Sequence, residues 1–242
     1  MKLQLNNYQI KILAALFMVC DHVGAVFFPN IGLFRDIGRL SFPLFAWLLT
    51  QGERYTRNFK QYLLRLVFLG LISQPLYLLA LSGTKLNTLF TVFLGLINQP
   101  LYLLALSGTR LNILFTLCLG LITLRLSRQF AQFQYLIWGL GIVAAELLRV
   151  EYGAYGIAAI CWVSAFRPNL VWWAVWIGIH LLLLTVRREF GLFQLPAVVT
   201  PVLVHLANNR KGPSARWFYS FYPFHLLVLY LLAQLLRLIR NS

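Results

Sequence analysis

The chain is a succession of apolar runs broken by short polar turns, and within the runs apolar and polar residues do not alternate. Continuous hydrophobicity of this kind predicts helices and argues against the period-two strands of a membrane barrel. The candidate spans are residues 8–28, 37–51, 61–81, 87–106, 111–126, 134–149, 153–166, 170–186, 191–207 and 216–238. At about 20 apolar residues per crossing, the pattern predicts an all-α, polytopic membrane helix bundle of about nine to ten helices. Several runs are shorter than a full crossing and require tilt or local thinning of the bilayer. The breaks FFPNIGLFRD, SGTKLN, SGTRLN, FRPN and ANNRKGPSAR combine Gly, Pro, Asn and charge, which is turn chemistry and not that of an interdomain linker. Residues 1–242 therefore read as one domain.

One segment repeats. LISQPLYLLALSGTKLNTLFTVFLG at 71–95 is followed at once by LINQPLYLLALSGTRLNILFTLCLG at 96–120, identical at 20 of 25 positions. Each copy holds the end of one apolar run, a polar SGT turn and the start of the next, so an added copy adds one crossing and reverses the side of everything downstream. Counting Lys and Arg does not choose between the two topologies, because nine and ten crossings both place 12 bases on the N-terminal side and 9 on the other. The first two helices are better defined. Lys2 and Lys11 precede or open the first, and Arg54, Arg57, Lys60 and Arg65 cluster after the second, so both ends are expected to face the cytoplasm. The first run lacks a small-residue cleavage site and is expected to be retained.

Composition narrows the class. Hydrophobic residues make up 60% of the chain and charged ones 11%, with a mean hydropathy of +0.74, which excludes a soluble globule and makes the lipid bilayer the first partner. The net charge of +15 lies in short runs between apolar stretches, where a membrane protein places it, and forms no nucleic-acid-binding domain. Cys20, Cys118 and Cys161 lie singly in apolar runs, and the four histidines lack HExxH-like spacing, so neither a disulfide framework nor a metal site is expected.

Ionisable residues at membrane depth carry the candidate chemistry, because an Asp at the centre of a helix opposes insertion by roughly 2.5–3.5 kcal/mol. Asp21 and His22 lie about fourteen residues into the first run. His22 shares a helical face with Lys11, Ala15, Met18 and Ala25, and Asp21 points about 100° away, so the two are not expected to bond to each other. Arg39 and Arg35 are the candidate partners of Asp21. His225 is similarly deep in the last run, flanked by Phe218, Phe221, Leu229 and Leu232. The structural alternative is an Asp21–Arg39 pair that fixes two helices, with His22 a hydrogen-bonded core imidazole. His180 and His205 read as structural and interfacial. Arg54, Arg57 and Lys60 offer guanidinium and ammonium donors for phosphate, although a positive cytoplasmic loop is also what topology demands. GxGxxG and GxxxxGK are absent. EYGAYG places Glu151 at the mouth of a span as a candidate ligand for an amine.

LAALFMVCDHVGAVFFP, IGRLSFPLFAWLL, LNILFTLCLGLI, YGIAAI and FYPFHLLVLYLL occur in an order that resembles the TraX family nearly from end to end. The DH pair with the RxxFPxFA helix is the most specific part, and FYPxHL the next. The resemblance implies a bacterial inner-membrane protein related to membrane-bound acyltransferases, with acetyl-CoA as donor and an amine or hydroxyl acceptor, such as the N-terminus of a pilin-like peptide or an envelope glycan. The family-like positions here are Asp21, His22, Arg39, Pro43, Asn112 or Asn87, and His225. The duplication departs from the family pattern, since the single LNxLF helix appears twice. On this reading His22 is the general base, Arg39 stabilises Asp21 or the oxyanion, and His225 is a second proton-handling group or a substrate anchor; the phosphates of acetyl-CoA meet Arg54, Arg57 and Lys60. The rival readings are a secondary transporter and a non-enzymatic assembly subunit that binds an apolar helix through Ala14, Ala15 and Gly24.

Overall fold

A computed structural model of the chain describes residues 4–81, 109–215 and 217–241. The described residues are helical, with two isolated bridges, Leu5–Ala207 and Leu111–Val150. We number the helices α1 (Asn7–Phe27), α2 (Gly32–Gly38), α3 (Ser41–Tyr55), α4 (Phe59–Leu81), α5 (Ile113–Gln129), α6 (Gln134–Leu147), α7 (Gly153–Ser164), α8 (Leu170–Val186), α9 (Arg188–Gln194), α10 (Thr200–His205) and α11 (Phe218–Asn241). Local chemistry starts several of them. Asn6 and Gln9 form a reciprocal capping box on α1, Asn112 caps α5 and Asn169 caps α8, each side chain accepting from an amide that the first turn leaves unpaired.

Among the described residues, α1, α4 and α11 are long and apolar enough to cross a membrane, or four spans if α5 and the segment Ala131–Leu147 count as one. Those two are bent by 120° and pack against each other. The ten apolar runs of the sequence therefore do not translate one for one into full-length membrane helices. The run at 191–207 is the clearest departure. It divides into α9, a 3-10 turn (Leu195–Val199) and α10, because Pro196 and Pro201 each open a new helical segment where a proline lacks the amide to continue the old one. The predicted span at 37–51 instead starts at the α2–α3 corner, which brings Arg39 inward. The predicted span 87–106, and Asn87, lie outside the described residues.

α1 packs against α2, α3, α4 and α11, while α3 also meets α5, α7 and α10. Ile10, Ala14, Phe42, Leu44, Leu121, Ile157, Ile160 and Trp176 fill the core between these helices. Two glycines let α2 press onto α1: a Cβ on Gly24 would overlap Phe34, and one on Gly38 would overlap the backbone and side chain of Asp21. Ser41 pins the start of α3 by donating to the Ala14 carbonyl at 2.9 Å. Ala14, Ala15 and Gly24 are buried inside the bundle, so the small-residue face considered for a partner helix is already covered by α2 and α3.

The repeat is joined across its copies. Gln74, in the first copy, donates to the Arg110 carbonyl at 3.0 Å and accepts from the Asn112 amide at 2.9 Å, both in the second. Asn112 in turn donates to the Gly70 carbonyl at 2.8 Å and caps α5 through Leu114. Both side chains are fully buried, so each of these bonds prevents an unpaired polar group in apolar surroundings. Removing residues 82–106 leaves Gln74 and Asn112 in place and sets SGTRLN directly after Leu81. Because these bonds fix α5 against α4, this 25-residue deletion is expected to keep the side on which a C-terminal reporter is found, against the reversal that the repeat alone predicts. Reversal of that side in a reporter-fusion assay would show that the deleted residues orient the second half.

Candidate functional site

The only ion-paired carboxylate on α1 sits where α2 turns into α3. Asp21 lies between two guanidinium groups: Arg39 contacts Oδ2, and Arg35 Nη1 is 3.1 Å from Oδ1 and 3.1 Å from the Asp21 carbonyl. Both cations come from the short helix α2 and its C-cap because the close approach at Gly38 brings that corner against α1. Arg39 also donates to the Tyr152 hydroxyl at 3.2 Å and to the Arg35 carbonyl at 3.4 Å. The Phe193 ring of α9 lies 4.1 Å from the Arg39 guanidinium and 4.7 Å from that of Arg35, a cation–π arrangement that shelters both. Sequence reasoning offered Arg39 or Arg35 as partner, and the structure uses both.

His22 faces away from Asp21 and meets His225. Their Nδ1 and Nε2 atoms are 2.7 Å apart, and the rings are nearly coplanar, inclined by 6° with centroids 5.0 Å apart, so they touch edge to edge. The second nitrogen of His225, Nδ1, is 3.1 Å from the Phe221 carbonyl. A carbonyl only accepts, which assigns the proton of neutral His225 to Nδ1 and a lone pair to Nε2. His22 must then donate from Nδ1, and its own Nε2 is left unprotonated. Phe221 stacks on His225, with centroids 5.2 Å apart, and holds its orientation.

His22 and Asp21 line a pocket with Ser41, Phe42, Glu151 and Tyr152. Its volume of about 30 Å³ suits one or two water molecules. Tyr152 reaches it from a left-handed backbone conformation, φ 65°, unusual for a non-glycine residue. Its ring stacks on Phe42, with centroids 4.2 Å apart. Glu151 belongs to the turn before α7. Burial pushes its carboxyl up to about 7, against the opposing pull of the Arg39 guanidinium. With Glu151 protonated, two guanidinium groups face one carboxylate and the cluster carries excess positive charge.

The remaining sequence candidates lie elsewhere. Arg54, Arg57 and Lys60 do not line this pocket; Arg54 donates to the Ser164 carbonyl at 2.7 Å, and Arg57 and Lys60 are exposed. Pro43 is buried in the first turn of α3. His180 is a bonded core imidazole, 3.1 Å from the Tyr155 hydroxyl and 2.9 Å from the Trp176 carbonyl, and His205 is exposed at the end of α10. No group of His, Cys, Asp and Glu suited to a metal occurs among the described residues. Sequence reasoning missed Phe193 and the hydroxyl of Tyr152. EYGAYG marked the latter as an interfacial cluster, and nothing in the sequence marked the former.

The family model described as TraX protein matches residues 6–98 and 92–233, two segments that overlap within the repeat. A "Probable fimbrial assembly protein FimC, serogroup H1" of Dichelobacter nodosus is 28% identical over 242 residues, covering 93% of this chain and 94% of that protein. No solved structure matches the chain.

Asp21→Ala leaves two guanidinium groups without their carboxylate and is expected to lower stability by about 3–5 kcal/mol, measured by thermal or denaturant unfolding in detergent. A change below 1 kcal/mol would show that water already solvates these cations. Glu151 gives a signed pH dependence. Its folded carboxyl keeps its proton to about pH 7, while the unfolded chain ionises near 4.5, so the contribution of Glu151 to stability is full below pH 4.5 and is lost as pH rises through 7. The expected slope is on the order of 1 kcal/mol per pH unit in that window, and Glu151→Gln should flatten it.

Proposed function

The chain belongs to the TraX family, and from that premise we propose that it is a bacterial inner-membrane acyltransferase that moves an acetyl group from acetyl-CoA to an amine or hydroxyl acceptor. The observation that carries this reading is the head-on His22–His225 bond, which leaves His22 Nε2 unprotonated in a pocket beside the Asp21–Arg39–Arg35 cluster. A neutral imidazole so oriented can take the proton of an attacking amine or hydroxyl. The acceptor's nitrogen or oxygen bonds to the thioester carbon, the carbonyl becomes an oxyanion, and the carbon–sulfur bond then breaks. The thiolate leaves with the proton that His22 accepted. His225 is a positioning residue in this scheme, fixing the tautomer of His22 much as a carboxylate does in a hydrolytic triad. The excess positive charge around Asp21 favours the developing oxyanion. Because the pocket at His22 is water-sized, substrate binding has to widen it.

The donor comes from the side bearing Arg54, Arg57 and Lys60, which the positive-inside rule assigns to the cytoplasm together with the N-terminus. The name of the Dichelobacter relative, a fimbrial assembly protein, favours a pilin-like membrane peptide as acceptor. The same name supports a second reading, an assembly factor without catalysis, in which His22 is dispensable.

Mass spectrometry of membrane peptides, with and without acetyl-CoA, tests the proposal. Wild type is expected to give a donor-dependent acetyl mass gain. His22→Ala should reduce the rate by about 10²–10⁴ at unchanged protein level, and His225→Ala by less. Full transfer by His22→Ala would remove the base, and pilus assembly that proceeds normally in that variant would favour the assembly reading.

A further inference from the structure

A second cavity, of about 390 Å³, opens beside the C-terminal half of α3, between the α7–α8 turn and the end of α10. Trp47, Arg54, Tyr55, Phe166, His205 and Asn209 line it. The volume falls within the range of about 300–1,000 Å³ usual for small-molecule sites, unlike the water-sized pocket at His22. From this cavity we propose that the protein seats the nucleotide end of acyl-CoA here, an inference that rests on the acyl-transfer reading and adds to it a site for the donor.

Three features point to that ligand. The first is charge. Arg54 stands at the rim, Arg57 and Lys60 follow it in sequence, and Arg210 is brought to the same end of the bundle by the bond from the Asn7 amide to its carbonyl. Glu53 is the acid at this end among the described residues, and it is buried and paired with Arg128 and Arg125. Arg54 is thus the cation that lines the cavity, at an end of the bundle rich in basic residues, and an anionic group is what it suits. Arg54 spends one N–H on the Ser164 carbonyl and keeps the rest of its five-donor fork for phosphate oxygens.

The second feature is the wall. Trp47 and Phe166 meet edge to face at 6.1 Å, Phe166 packs on Trp172 at 4.8 Å, and Tyr55 lies beside them, so a planar base finds aromatic surface. Trp47 is 6% exposed and its indole N–H is buried without a partner, a donor that the fold itself does not use. The third feature is reach. Phe42 of the His22 pocket and Arg54 of this cavity are twelve residues apart on α3, about 18 Å along a helix, a length that an extended pantetheine arm can bridge.

Anionic lipid headgroups share the phosphate-ester chemistry, and the test separates the two sources. Full-length protein in neutral detergent is titrated with coenzyme A and with adenosine bisphosphate by calorimetry, and separately with phosphatidylglycerol micelles. Wild type is expected to bind both nucleotides. Arg54→Gln, with unchanged melting temperature, and Trp47→Phe, compared at a temperature where it stays folded, should each weaken binding at least tenfold, and should raise KM for acetyl-CoA more than they lower kcat. His22→Ala should bind coenzyme A as wild type does. Coenzyme A binding or KM unaltered in both cavity variants overturns the site and leaves acyl transfer standing. Saturation by phosphatidylglycerol with no response to adenosine bisphosphate also overturns it. A wild type that neither binds coenzyme A nor transfers acetyl overturns the site and the acyl-transfer reading together.

Discussion

A buried carboxylate between two guanidinium groups governs the architecture around it. Asp21 sits inside an apolar run, where an unpaired charge is expensive, and the bundle answers by turning the α2–α3 corner inward so that Arg39 and Arg35 reach it. That arrangement requires helices to approach more closely than ordinary side chains permit, and Gly24 and Gly38 supply the space. It also sets the orientation of α1. With Asp21 facing the corner, the next residue, His22, is turned about 100° toward α11 and meets His225.

The two histidines need each other for a different reason. A neutral imidazole in apolar surroundings has one donor and one acceptor to satisfy, and the chain Phe221 carbonyl, His225, His22 satisfies three of the four while leaving one lone pair. The remaining lone pair belongs to His22, which lines the pocket with Asp21 beside Arg39 and Arg35. Structural polar groups normally end fully paired, as His180 does between Tyr155 and Trp176. His180 thus bonds through both ring nitrogens, whereas the bond of His22 to His225 uses Nδ1 alone.

Much of the site was legible before any coordinates. Asp21, His22 and His225 stand out because ionisable residues are conspicuous in apolar runs, and the helical period alone separates Asp21 from His22. The double pairing of Asp21 was not legible, since Arg35 and Arg39 lie on one short helical turn and either satisfies the same rule. The basic residues after α3 were legible as a group, but not that Arg54 borders a cavity while Arg57 and Lys60 face solvent. Hydropathy does not fix helix length: among the described residues three helices, or four if α5 and the segment Ala131–Leu147 count as one, are long enough to cross, because Pro196 and Pro201 break the run at 191–207 and the α5–α6 pair bends by 120°.

By itself, the sequence determined what depends on neighbours along the chain: helices from unbroken hydrophobicity, turns from Gly, Pro and Asn, caps from Asn6, Asn112 and Asn169, and the depth of the charged residues. Contacts between distant positions were decided only by the tertiary structure. His22 and His225 are 203 residues apart, and no local property of either names the other. The repeat shows the limit most plainly. Asn87 and Asn112 occupy equivalent positions in near-identical copies, so local physics cannot tell them apart, and it is the packing of α5 on α4 that seats Asn112 on Gln74.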